Sequence, residues 1–348
     1  MKSIKRVRRL VLPLLLTVIL CSGMGLFPPL AQGAPQSEVN FHVRALLPSN
    51  QINSGLSYFD LRMTPSQTQQ LEVEITNTSD EALVVNVEAI TASTNRNGII
   101  DYKMPDVKDE SLRVAFSEIS TVETPSLSVP AQSSKVAVIN IAMPKESYDG
   151  VILGGLVFTR ENSTAEQQQS VTIENAISYV LGVKLSITDA VIDPRFELVE
   201  VLPRAINYQP SLVHAIRNLE AIIIKGMSVE VLVRNADGTV YAKASKTNID
   251  MAPNSIFPFG LLPEHEKLEP GTYSSEVTLT YDKKEYRYST EFVIEDAEAE
   301  AVNSISPGPQ TSNALDLATI AICLVLVLLV STIILLVILL RKKRRAEE

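Results

Sequence analysis

Apolar and polar residues alternate singly over much of the chain. Leu71, Val73 and Ile75 are separated by Glu72 and Glu74, and after a polar turn at 77–80 the alternation resumes at Leu83, Val85, Val87 and Ala89. A period of two on either side of a turn predicts an antiparallel hairpin with one buried face. Asn97-Gly98 predicts a tight turn between Ile90 and the segment that begins at Ile99. Residues 136–142 read as a further strand, and 150–159 are apolar enough for a central one. The polar, Gln-rich stretch 161–170 offers nothing to a core and reads as a boundary or an exposed loop. Beyond it, 176–188 reads as a long strand. Residues 227–234 and 239–245 flank Asn235-Ala236-Asp237-Gly238, and 272–281 and 286–294 flank Asp282-Lys283-Lys284. Both are hairpin patterns.

The two ends break this alternation. Lys2, Lys5, Arg6, Arg8 and Arg9 precede an apolar run over 10–20, followed by Pro28, Pro29 and Ala31-Gln32-Gly33. That is the layout of an export signal cleaved after Gly33. Bulky Leu20 ahead of Cys21 disfavours a lipoprotein signal. Residues 317–340 carry no charge, long enough as a helix to span about 30 Å of hydrocarbon. Arg341-Lys342-Lys343-Arg344-Arg345 follows and predicts a cytoplasmic end. No LPxTG-type sorting motif precedes the run, so the helix is expected to be retained.

The expected architecture is all-β: two immunoglobulin-like β-sandwich domains in tandem, then a stalk and one C-terminal transmembrane helix. The segments are a signal peptide at 1–33, sandwiches at 34–160 and 161–295, a flexible stalk at 296–316, a membrane helix at 317–340 and a basic tail at 341–348. Nineteen prolines fit sandwich corners better than helices.

Charge and cysteine narrow the chemistry. Without signal and tail, 21 basic side chains face 38 acidic ones, a net charge of −17. Bulk attraction to nucleic acid is therefore not expected. The two cysteines, Cys21 and Cys323, fall in the signal and the membrane run, so the exported part has no disulfide, thiolate site or cysteine nucleophile. A disulfide-free exported region suits a Gram-positive bacterium. His42, His214 and His265 share no motif; HExxH, GxSxG, P-loop and dinucleotide signatures are absent. Asp101, Asp106 and Asp109 lack calcium-loop spacing. No cofactor, metal site or catalytic residue is assigned.

An ordered set of segments is more specific. Asn50-Gln51, Ser57-Tyr58-Phe59-Asp60-Leu61, a strand from Leu71 to Asn77, Thr94-Asn95-Arg96-Asn97-Gly98-Ile99-Ile100-Asp101-Tyr102 and Tyr148-Asp149-Gly150-Val151-Ile152-Leu153-Gly154-Gly155 follow in turn. In that order they resemble the N-terminal, peptidoglycan-binding domain of the WxL-interacting proteins of Gram-positive bacteria. Met251-Ala252-Pro253-Asn254-Ser255 with Phe257 and Phe259, then Pro270-Gly271-Thr272-Tyr273, resemble that family's host-binding domain. The resemblance implies a cell-surface scaffold and adhesin, not an enzyme. Its expected partners are a WxL-domain surface protein, peptidoglycan and a host extracellular-matrix protein. The chain has no tryptophan, so it is not itself a WxL protein. Candidate ligand-binding residues are Tyr58, Phe59, Asp60, Asn95, Asn97 and Tyr102. The competing readings make Tyr58 and Phe59 core side chains, Asp60 a turn cap, and Asn95 and Asn97 turn formers. Gly150, Gly154 and Gly155 are read as close-packing or bulge positions. A wall-active glycan hydrolase and an exported chaperone or accessory subunit are the alternatives.

Overall fold

A computed structural model describes residues 40–103, 108–147, 149–161, 178–264, 267–305 and 317–345. The expected signal, Tyr148, His265 and Asp106 lie outside these residues.

The first unit is two sheets face to face. One has the order β1 (Phe41–Leu46), β3 (Thr68–Asn77), β9 (Ser134–Ala142), β7 (Ser120–Val122). The other runs β2 (Phe59–Arg62), β11 (Ser178–Ser186), β10 (Val151–Arg160), β4 (Leu83–Thr91), β8 (Ser126–Val129). The alternating residues do what their spacing dictates: Leu71, Val73 and Ile75 meet Val85, Val87, Leu156 and Phe158 in one buried core. β10 has no alternation because both of its faces are covered. A short helix, α1 (Phe116–Ile119), closes one side by placing Phe116 in the core.

Beyond the expected boundary at 161, strand β11 (Ser178–Ser186) still packs with the first unit. That strand pairs antiparallel with β10 from Val151↔Ser186 to Thr159↔Ser178, and parallel with β2. Its edge hydrogen bonds and the burial of Val183 and Leu185 tie it to the first core, so the second unit starts after Ser186.

The second unit opposes β12 (Phe196–Ile206), β13 (Gln209–Asn218) and β16 (Ile256–Leu261) with β15 (Val240–Met251), β14 (Ile224–Asn235), β17 (Gly271–Tyr281) and β18 (Lys284–Ile294). Both predicted hairpins form. Asp282 and Lys283 have φ of 47° and 64°, so the β17–β18 turn has the mirror-image twist that suits a two-residue hairpin. The expected flexible stalk is corrected in its first half: Asp296–Ile305 is a helix, α2, whose Ala299 and Val302 pack in the second core. Asn303 pins it, donating to the Leu268 carbonyl and accepting from the Leu268 amide at 2.8 and 2.9 Å.

Helix α3 (Leu317–Arg345) carries the uncharged run. Among the described residues no helix is long and apolar enough to cross a membrane.

Candidate functional site

Three of the ordered segments, around Asn95–Gly98, Gly150 and Ala252, converge where the two units meet. A small hairpin, β5 (Ser93–Thr94) with β6 (Ile100–Asp101), leaves the first unit and lies against the second. Its turn is built by Asn95, whose Oδ1 accepts from the Asn97 and Ile99 amides at 2.9 and 3.3 Å. Asn95 Nδ2 donates to Asp101 Oδ2 at 3.2 Å. This folding presents the Gly98 carbonyl to the Asp250 amide at 2.8 Å.

Beside it sits a closed ring of three buried hydrogen bonds. The Ala252 amide donates to Thr94 Oγ1 at 2.9 Å, and Ser255 Oγ donates to the Ala252 carbonyl at 2.9 Å. Thr94 therefore donates to Ser255 Oγ, 2.6 Å away, so that each hydroxyl donates once. Ala92, Leu153 and Ala252 form a small apolar cluster with Ile100, Tyr102, Val151 and Ile223 around this ring. The Val151 amide donates to the Ala221 carbonyl at 2.8 Å. A β-carbon on Gly150, which has φ of +100°, would stand 2.3 Å from that same oxygen. Only glycine allows the two backbones this approach.

An ion pair completes the seam. Arg217 Nε donates to Asp109 Oδ2 at 3.1 Å and its Nη1 to Glu197 Oε2 at 2.8 Å. Burial opposes the charge on Arg217, but Glu197 and Asp109 more than offset it and hold its pKa above the usual value.

Next to the seam, on the outer face of the β2–β11–β10 sheet, lies a cleft of about 440 Å³. Gly155 and Gly182 are partners across β10 and β11, which leaves the sheet surface bare there. Tyr102 lies over that bare patch: a β-carbon on Gly155 would meet its ring at 2.6 Å. Tyr58 packs beside Gly182 and is 37% exposed. Burial, then the neighbouring Tyr58, raises the Tyr102 pKa. Lys184 and Lys225 also line the cleft, with Ser57, Val180 and Ile223. Lys184 Nζ is 3.1 Å from Asp60 Oδ1.

Of the predicted site residues, the structure brings Tyr58 and Tyr102 into this cleft and sets Asp60 behind it as the partner of Lys184. Phe59 is corrected: it opens β2 and is wholly buried in the first core, whereas Tyr58 precedes the strand and stays outside. Asn95 and Asn97 line a different cleft, of about 800 Å³, with Asp109 and Arg217. Lys184, Lys225 and Gly182 escaped the sequence reading: strand register sets Gly182 opposite Gly155, and packing of the two units brings Lys225 to them. Among the described residues no three His, Cys, Asp or Glu side chains are grouped to hold a metal ion.

The chain is thus a tandem β-sandwich protein, its two units braced by buried polar contacts with an aromatic cleft beside the brace. Residues 41–160 match the family model described as WxL Interacting Protein, peptidoglycan binding domain. Residues 168–304 match WxL Interacting Protein, host binding domain. The chain belongs to the WxL-interacting protein family. The second match begins ahead of β11, whose pairing places it with the first unit.

Solved structures similar to the chain include the CupB2 chaperone of Pseudomonas aeruginosa, at 15% identity and TM-score 0.27, covering 67% of this chain and 96% of that one. The E. coli chaperone DraB is similar at 13% identity and TM-score 0.28, covering 73% and 98%. Similarity at this level carries no argument. No curated protein matches the chain.

Proposed function

We propose that this protein is a non-catalytic scaffold and adhesin of the Gram-positive cell surface. It holds peptidoglycan through the first unit, associates with a WxL-domain protein, and offers the second unit to a host matrix ligand. Membership of the family supports this reading, because its two domains are described as peptidoglycan-binding and host-binding. The export signal at 1–33 and an anchor at 317–340 set the orientation, with the sandwiches outside and the basic end in the cytoplasm.

The observation that carries the peptidoglycan assignment is the exposed Tyr58 ring beside Tyr102 over a glycine floor. A flat aromatic surface with a polar tip suits a sugar ring, which has an apolar face and hydroxyls at its rim. Neither tyrosine hydroxyl has a hydrogen-bond partner among the described residues, so both are free to meet those hydroxyls. The full chain, purified in mild detergent, is mixed with insoluble peptidoglycan and, separately, with an immobilised WxL-domain protein. Retention on both is expected; retention on neither refutes the assignment.

A further inference from the structure

The Tyr58–Tyr102 cleft has a property that a neutral-sugar site would not need. Among the described residues its lining contains two cations, Lys184 and Lys225, and no acidic side chain, although the exported part is strongly acidic. Lys184 is engaged by Asp60. Lys225 is exposed and makes no ion pair among the described residues. It reaches the cleft from β14 of the second unit, whereas Tyr58, Tyr102 and Lys184 belong to the first. Position 225 is fixed there by its neighbours in the chain. Ile224 is fully buried in the second core, Ile223 packs into the seam cluster, and Gly226 turns the backbone with φ of +70°.

We propose that this cleft is a composite site for a saccharide that bears an anionic group, with Lys225 of the second unit supplying the countercharge. The proposal rests on the reading that the cleft holds wall glycan and adds the charge class and the second unit's share. The tyrosines contact the sugar, and Lys225 faces a carboxylate or phosphate attached to it. A lysine ammonium is a point charge that accepts either anion, so the two sources share one chemistry. The ectodomain's overall negative charge would repel such a ligand elsewhere, which makes one local cation without an ion pair among the described residues selective, even with Asp250 bonded to the adjacent Gly226 amide.

The test uses the full chain in detergent and three soluble probes: neutral chitotetraose, a disaccharide-tetrapeptide muropeptide with free carboxylates, and a glycosylated glycerol phosphate. Wild type is expected to prefer one or both anionic probes over chitotetraose, and which one identifies the anion. Lys225→Gln should weaken the preferred anionic probe by about two- to fivefold, the range of a partly exposed ion pair, and chitotetraose by less, so that the preference is lost. Lys225→Arg should keep the preference, and added salt should erase it in wild type. A preference that survives K225Q, or no anionic preference in wild type, overturns the proposal. Co-sedimentation with whole peptidoglycan separates the two failures. Wild type that pellets without an anionic preference sinks only the charge assignment; wild type that does not pellet sinks the glycan reading as well.

Discussion

The ring of Tyr102 occupies the space that a side chain on Gly155 would need, 2.6 Å from its β-carbon position. The preceding glycine does the same on the other face, where Phe116 would stand 2.0 Å from a β-carbon on Gly154. Adjacent residues on a strand point to opposite faces, so this glycine pair admits one aromatic ring into the core and one onto the outer surface. Gly154→Ala should therefore cost about 1–3 kcal/mol of stability or more, by overpacking around a buried phenylalanine. Gly155→Ala should lower the melting temperature less, because Tyr102 is only half-buried, but should reshape the cleft. Paired thermal melts and glycan binding check this; equal melting losses with intact binding would contradict it.

Thr94 closes the buried hydrogen-bond ring between the units. Thr94→Val keeps the shape but leaves the Ala252 amide and the Ser255 hydroxyl short of a partner, at about 1–3 kcal/mol. Thr94→Ser should recover most of the loss. Urea denaturation of the three proteins decides the point, and a neutral T94V would contradict the ring.

The alternating strands were legible because one buried face imposes a period of two, as Leu71, Val73 and Ile75 do in β3. β13 was not legible, since it is buried along almost all its length and shows no alternation. β12 loses its pattern at a bulge between Leu198 and Glu200. Helix α2 has the composition of a linker; only Ala299 and Val302 reach the core, and the Asn303 contacts have no sequence signature. The seam was invisible for another reason. Thr94 and Ser255 are 161 positions apart, and no local spacing reports such a pairing. The ordered segments around Asn95–Gly98, Gly150 and Ala252 do mark it, though locally the first reads as a turn and Gly150 as a close-packing or bulge position.

Arg217 should couple the units electrostatically. Arg217→Met removes the cation paired with Asp109, whose side chain is only 7% exposed, and leaves that carboxylate with its Ser111 hydrogen bonds but no countercharge from Arg217. The expected loss is towards the lower end of the ~3–5 kcal/mol seen when one member of a buried pair is deleted, because Glu197 remains solvated. Asp109→Asn in the same background should restore part of it. Denaturant melts of this double-mutant cycle check the coupling; additive losses would contradict it.

His214 gives the second unit a pH response. Burial pushes its imidazole from 6.5 to about 4, the Leu212 backbone opposing in part. The unfolded chain thus takes up a proton at His214 before the folded one does. The resulting stability is complete above about pH 6.5 and is lost as pH falls towards 4, by roughly 3 kcal/mol. His214→Gln should flatten that part of the profile while keeping a polar group near Ser275 Oγ, which lies 2.8 Å from His214 Nε2. Stability measured by denaturant at intervals from pH 7.5 to 4 checks it; an unchanged slope in H214Q would contradict it.

The proposed hold on wall glycan depends most on the exposed Tyr58 beside Tyr102. The direct measurement is co-sedimentation of the full chain with purified peptidoglycan, comparing wild type with Tyr58→Ala at matched melting temperature. Tyr58 is outside the core, so the variant should fold and stay largely in the supernatant while wild type pellets. Equal pelleting of the two proteins would contradict the account.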